Sequence, residues 1–388
     1  MNILFLYSRD IDITDSGGSR TTILLANYIS SIKNDTCYCL FKILAGKSEK
    51  VIELERNKDI VKDVIKYVNE YMIDVLYVPE AYYFADELKK IRQQVNCKII
   101  SALHNKPGYE KIGNKTTLLE SLRYNPKWIK RVRAAILLTI FPIFNSLYVH
   151  SIHRKFRTAF RASDKFVLLS SRFFIDFSSI YKIKNTNKLC AIGNPLSFTH
   201  FASGKEILEK QKTILVVSRL EESQKKLSYV FFMWQRIQDC YPDWSLIIVG
   251  DGRSKPYYSE LIQKRGLRRI EFAGRQDPRS YYLKASIFLL TSAYEGWGMT
   301  ITEAQQYGCV PVVMNSFSSV YDLIDTGENG VLTTNDDLDE FTRAVQKLID
   351  NDAYRIKLAK QAVISSKRFL PEIIYSQWSN LFHEALYP

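Results

Sequence analysis

Short apolar runs alternate along this chain with stretches in which apolar side chains recur every three or four positions. Those are the periods of buried strands and of helices with one apolar face. Met1–Tyr7 opens the pattern as a strand. A polar loop, Ser8–Ser19, holds Gly17-Gly18 and leads into a helix with Ile23, Leu24, Tyr28, Ile29 and Ile32 on one side. Ile60, Val61, Val64, Ile65 and Val68 predict a second helix, and Val75–Val78 a strand stopped by Pro79. Lys98–Leu103 predicts a strand ending in His104-Asn105, and Phe166–Leu169 the last strand of this half. Pro195 biases Asn194 towards extended backbone, as suits a linker.

The alternation resumes at Thr213–Val217. That strand delivers Ser218-Arg219-Leu220 and Gln224-Lys225-Lys226 into a polar loop before a helix from Leu227 to about Cys240. Ser245–Val249 closes in Gly250-Asp251-Gly252, and Ile270–Arg275 carries Gly274. A short helix over Pro278–Ala285 precedes a strand at Ile287–Leu290. After it come Tyr294-Glu295-Gly296-Trp297-Gly298-Met299-Thr300 and a helix from Thr300 to Tyr307, with Gly308 as its C-cap. Cys309–Val313 and Gly330–Leu332 supply later strands, and beyond Asp337 the pattern is helical, ending in the aromatic-rich Ile373–Leu386.

The strand-to-helix turn around Gly296 and Gly298 is the chemically richest point. Glycine lets a ligand approach the backbone, and a helix N-terminus presents free N–H groups with partial positive charge. Glu295 stands at the mouth of the turn and Glu303 about one helical turn in. Arg219 offers a bidentate fork and Lys225 or Lys226 a mobile point charge, a plausible clamp for a diphosphate. Phosphates and many hydroxyls together describe a sugar nucleotide.

At 388 residues, the chain predicts two domains. Six scattered cysteines lack zinc-ligand spacing and read as buried, reduced thiols, which fits a cytosolic compartment. No Asp-x-Asp metal motif sits in a convincing loop, so neither a metal nor a cofactor is expected. Met1–Tyr7 is too short for a signal-peptide core, and no stretch reaches the ~20 apolar residues of a spanning helix.

The net charge of +13 is concentrated. Residues 111–172 hold 13 Lys and Arg against two acids. Within them, segment 124–161 flanks the apolar run 134–149 with basic and aromatic residues. That pattern suits a helix lying on an anionic membrane, which is the reading favoured here over a buried connecting helix with a solvated basic rim. No nucleic-acid module is recognisable, so nucleic acid is not expected as a partner.

Glu295 and Glu303 with Gly296-Trp297-Gly298 between them resemble the donor-site signature of retaining GT-B glycosyltransferases of family 4 (glycosyl transferases group 1). Strand-Arg219-loop-Lys225, Gly250-Asp251-Gly252 and Gly274-Arg275 follow the family's order and approximate spacing. The chain departs from the pattern at Ser218, where relatives carry Gly, and in a loop one residue longer before Lys225. The resemblance implies an α/β fold of two Rossmann-like, doubly wound domains facing across a cleft. Residues 1–195 would be the acceptor side and 196–370 the donor side, with 371–388 packing back on the first domain.

It also implies transfer of a sugar from a nucleotide donor to a hydroxyl acceptor, a glycan or lipid-linked one, with retention. Arg219 and Lys225 would neutralise the diphosphate, Gly298-Met299-Thr300 would add N–H donors, and Gly274 and Arg275 would border the nucleobase. Glu295 would hold sugar hydroxyls and Glu303 the ribose. Gly17 and Gly18 would approach the donor phosphate, and His104 would lie beside the donor sugar. The alternatives are a non-catalytic membrane-associated scaffold of the same fold and a dehydrogenase, the latter disfavoured by the missing Gly-x-Gly-x-x-Gly fingerprint.

Overall fold

The computed structural model describes residues 1–13, 17–124, 127–139 and 141–387. The chain divides into two compact units. Residues 1–108, 146–195 and 371–388 form the first, and residues 109–145 and 196–370 the second. This differs from a single break at 195. The helix Tyr109–Tyr124 packs against the Trp128–Thr139 helix and the Glu222–Lys225 turn, so it belongs with the second unit.

Among the described residues, the strands in chain order are β1 (Asn2–Phe5), β2 (Ile11–Asp12), β3 (Thr36–Cys39), β4 (Ile43–Ala45), β5 (Ile52–Glu53), β6 (Val75–Val78), β7 (Lys98–Leu103), β8 (Lys165–Leu168) and β9 (Leu189–Ala191) in the first unit. The second unit holds β10 (Gln211–Val217), β11 (Ser245–Val249), β12 (Ile270–Gly274), β13 (Ala285–Leu290), β14 (Val310–Asn315) and β15 (Val331–Thr334).

The first sheet runs β5-β3-β1-β6-β7-β8-β9, parallel throughout, with β2 and β4 paired separately. The second runs β12-β11-β10-β13-β14-β15, again parallel. In each sheet the chain starts in the middle, winds out to one side, and returns to build the other. The strand order therefore reverses between β1 and β6 and between β10 and β13, and such reversals are where doubly wound sheets bind ligands.

Helices cover both faces of a parallel sheet, so its central strands are apolar throughout. All six residues of β13 are buried. On one side of the second sheet lie Val230, Phe231, Met233, Trp234 and Ile237 from the helix Ser228–Ile237, with Phe341, Val345 and Leu348 from Leu338–Asp350. Asp337 starts the latter helix by accepting from Glu340 N at 2.8 Å, satisfying one of its free amides. The final helix, Pro371–Leu386, packs within the first unit. Tyr375 meets Tyr28 at 5.0 Å between ring centroids, and Trp378 meets Tyr77 edge-on at 5.1 Å.

Three local expectations change. Phe166–Leu169 does not close the first sheet, because β9 adds an edge strand beyond it where no element was predicted. Gln224 and Lys225 lie on a single helical turn, Glu222–Lys225, not in an open loop. The apolar run 134–149 is divided between two helices, Trp128–Thr139 and Phe141–Ala162.

Candidate functional site

In the second unit, the ends of β10 and β13 bring the charged residues together at the point of strand reversal. β10 ends in Ser218-Arg219-Leu220, held against the Gly250-Asp251-Gly252 turn after β11. Ser218 N donates to Val249 O at 3.0 Å and Leu220 N to Asp251 O at 2.9 Å. The packing is so close that a Cβ on Gly250 would fall 1.9 Å from Ser218 O, and one on Gly252 2.5 Å from Leu220 O. Only glycine fits at these positions.

Beyond Leu220 the chain makes the Glu222–Lys225 turn. Glu222 anchors it, accepting from Tyr258 Oη at 2.9 Å, from Ser228 N at 3.2 Å and from Ser228 Oγ. Lys226 follows in the left-handed region, φ 45°. Its ammonium turns to Asp336 Oδ1 at 2.6 Å. Lys225 turns the other way and donates to Glu295 Oε1 at 2.5 Å, with both side chains 13% exposed. The two lysines, equivalent in sequence, therefore face different carboxylates.

The loop after β13 is stitched to that turn. Ala293 N donates to Gln224 O at 2.7 Å, and Thr291 Oγ1 donates to the carbonyls of Lys225 and Lys226, each at 3.0 Å. Ser292 Oγ donates to Glu295 Oε1 at 2.7 Å. Gly298 then turns left-handed, φ 92°, as N-cap of the helix Met299–Gln306. Gly296 O accepts from Ser319 Oγ at 2.9 Å, and Trp297 is buried edge-on to Phe369. Gly298 is buried and Met299 and Thr300 are half-buried, and Glu295 lies three residues ahead of the N-cap Gly298.

Glu303 is buried on that helix, 4% exposed, and accepts from the buried Tyr282 Oη at 3.0 Å. Arg219 is open to solvent, its side chain 64% exposed. Its Nη2 donates to Gln224 Oε1 at 2.8 Å, and Nη1 lies 3.4 Å from Glu221. Gly274, φ 75°, ends β12 with its carbonyl accepting from Gly250 N at 2.7 Å, and exposed Arg275 follows. Glu295, Lys225, Arg219 and the Gly298 helix start are thus gathered at one sheet end.

The first unit gathers a second group at the ends of β1, β6 and β7. Gly17 and Gly18 start the helix Gly17–Ser31, and a Cβ on Gly18 would touch His104 Cβ at 3.5 Å. His104 Nε2 lies 3.3 Å from Tyr77 Oη. Burial pushes the imidazole down to about 4, partly offset by the Asn194 side chain. Glu80, just past β6, accepts from Ser8 Oγ at 2.6 Å. Burial, then the Glu80 charge, raises the neighbouring Tyr7 hydroxyl.

Sequence reasoning missed Glu80, Glu222, Thr291 and Ser292. Glu80, Thr291 and Ser292 are marked in the sequence only as polar residues within two positions of a strand end, and Glu222 only as an acid in the polar stretch after β10. Among the described residues, no group of three or more His, Cys, Asp or Glu is placed to hold a metal ion, and every cysteine is free. Also among them, no helix is long and apolar enough to cross a membrane.

Residues 199–364 match the family model described as glycosyl transferases group 1. A glycosyltransferase of Haemophilus influenzae is 29% identical over 198 residues, covering 50% of this chain and 55% of that protein. A Campylobacter jejuni alpha-1,4-N-acetyl-D-galactosaminyltransferase acting on an undecaprenol-linked saccharide is 20% identical over 380 residues, 96% of each chain. The Anabaena HepE structure in complex with UDP-glucose superimposes with a TM-score of 0.71 at 18% identity, over 99% of this chain and 100% of that one. The chain therefore has the GT-B fold, and its match to glycosyl transferases group 1 lies within the second unit.

Proposed function

We propose that this protein is a retaining, metal-independent glycosyltransferase that moves a sugar from a UDP- or GDP-sugar to a hydroxyl of a glycan or lipid-linked acceptor. Cell-envelope or exported polysaccharide synthesis is its proposed setting. The observation that carries the reading is the Lys225–Glu295 pair, whose carboxylate lies three residues ahead of the helix start at Gly298. A cation and free N–H groups there would meet the diphosphate, and the carboxylate would meet the donor sugar's hydroxyls.

During transfer, the bond between the anomeric carbon and the diphosphate oxygen breaks, the acceptor oxygen bonds to that carbon on the same face, and the acceptor's hydroxyl proton passes to the departing diphosphate. Negative charge builds on the departing diphosphate. Lys225, Arg219 and the helix N-terminus oppose that charge with groups already in position, which lowers the barrier without reorganisation. Glu303 would accept from the ribose hydroxyls. Gly17, Gly18 and His104 would complete the donor surroundings, with His104 neutral at pH 7 and able to take part only as an uncharged hydrogen-bonding group. Nothing in this assignment needs Glu295 and Glu303 to act as an acid/base pair.

Relatives in amylovoran and lipopolysaccharide synthesis support the envelope setting. A lipid-linked acceptor would put the protein in the cytoplasm, peripheral on the inner membrane face.

The test is thermal stabilisation of the purified protein by UDP-, GDP-, ADP- and CMP-sugars and NAD(P), paired with release of free nucleotide diphosphate in the presence of candidate acceptors. A ligand at a hundredfold its dissociation constant adds about 2.7 kcal/mol. Stabilisation by one nucleotide-sugar series, lost in Glu303→Ala, supports the donor site and identifies the base. Stabilisation by NAD(P) alone overturns the reading, and donor binding without turnover on any acceptor favours a scaffold.

A further inference from the structure

We propose that the helix Trp128–Thr139 is an interfacial helix that seats one face on an anionic lipid surface. This takes up the membrane part of the reading above and assigns it to named side chains. Four large apolar residues on this helix are open to solvent, Trp128 at 70%, Ile129 at 64%, Val132 at 48% and Ile136 at 58%. At 100° per residue they fall within a single arc of about 100°. Ala134, on another side, is buried, and Leu137 and Leu138 are half-buried. The helix packs on Tyr109–Tyr124, and Arg131 Nε donates to Leu122 O at 2.9 Å. Its inner side is therefore occupied while its most apolar arc is left in water, the reverse of an ordinary surface helix.

Charge decides what covers that arc. Lys127, Lys130, Arg131 and Arg133 are exposed, and no Asp or Glu lies between residues 127 and 139. A second copy would bring the same cations against these and be repelled. Nucleic acid would satisfy the cations but offers no apolar phase for Trp128, Ile129, Val132 and Ile136. An anionic bilayer supplies both, phosphates for the cations and acyl chains for the arc. Twelve residues span roughly 18 Å, short of the ~30 Å hydrocarbon core, so the helix lies on the bilayer and does not cross it.

The test uses the full-length protein with vesicles of phosphatidylcholine alone or mixed with phosphatidylglycerol. Partition onto the anionic vesicles is expected, weakened by salt. Lys130→Glu and Arg133→Glu should each reduce it at least about fivefold, the usual effect of one cation near an anionic leaflet. Ile129→Asp with Ile136→Asp should reduce it by at least about tenfold. Because all four positions are exposed, thermal unfolding and nucleotide binding should not move. Trp128→Phe provides a fold-preserving control, since it should remove the blue shift in tryptophan emission that anionic vesicles produce.

Three results would overturn the proposal. The wild type could fail to partition onto anionic vesicles, or the double aspartate variant could bind them as the wild type does. Alternatively, self-association of the wild type that the aspartates abolish would assign the face to a second copy. Nucleotide binding is read separately, so loss of the membrane proposal leaves the transferase reading standing.

Discussion

Lys225 Nζ and Glu295 Oε1 stand 2.5 Å apart, joining the turn after β10 to the loop after β13. In the proposed complex the two part, the ammonium towards diphosphate and the carboxylate towards sugar hydroxyls. A nucleoside diphosphate without a sugar competes with Glu295 for Lys225 and gives the carboxylate nothing in return. Glu295→Gln is therefore expected to bind UDP or GDP about fivefold more tightly, the worth of about 1 kcal/mol of ion pairing, while sugar transfer falls by more than tenfold, about 1.4 kcal/mol in the transition state. Lys225→Ala should weaken both. Calorimetric titration with the sugar-free nucleotide separates them, and equal affinity in wild type and Glu295→Gln would remove the competition.

Arg219 is the exposed member of the clamp, free to swing from Gln224 and Glu221 towards an anion. Its removal leaves no buried charge behind, so the effect should fall on binding and not on stability. Arg219→Ala is expected to cost about 1.5–3 kcal/mol of donor or transition-state binding, the usual worth of hydrogen bonds to charged groups. Unchanged donor affinity and turnover would take Arg219 out of the site.

If protein cations and helix amides neutralise the leaving diphosphate, chelators should not matter. Turnover is expected to survive excess EDTA without loss. Activity that EDTA abolishes and magnesium or manganese restores would assign that neutralisation to a metal.

The alternation of apolar runs with helical periods made both sheets legible, because parallel strands buried on both faces stand out as continuous apolar segments. β10, β11, β13 and β14 were predicted within two residues at either end. β5 and β9 are two- and three-residue edge strands, too short for periodicity to mark. The glycine turns and charged residues at the site were legible because their roles are local. Which lysine faces Glu295 was not, since it depends on the left-handed turn at Lys226 and on Asp336, 110 positions away. The same holds for Tyr282 meeting Glu303 and for helix Tyr109–Tyr124 joining the second unit.

Two glycines in the site have separable jobs. A Cβ on Gly250 would collide with Ser218 O, whereas Gly274 is left-handed with nothing within 4 Å of such an atom. Gly274→Ala should cost only the left-handed backbone penalty, about 1–2 kcal/mol, with nucleotide binding retained. Gly250→Ala must displace the backbone that presents Arg219, so it should lower stability further and weaken nucleotide binding together with it. Denaturant unfolding and titration of both variants check this, and a Gly250→Ala protein that binds normally would mean the Ser218 loop shifts without consequence.

His104 gives the fold a pH dependence whose sign follows from its burial. An unfolded histidine takes up its proton near 6.5, but in the folded protein burial lowers that to about 4. Between these values the unfolded chain holds more protons. The stability His104 contributes is therefore complete above pH 6.5 and is lost as pH falls towards 4, by about 3 kcal/mol over the whole window. Carboxylates add their own acid dependence, so the informative quantity is the difference between wild type and His104→Gln, measured by urea unfolding at pH 7 and pH 4.5. That difference should shift by about 2–3 kcal/mol, with the variant losing less stability in acid. Parallel pH profiles would mean that His104 accepts its proton in the folded state, and its proposed place as a neutral group beside the donor would fall with that result.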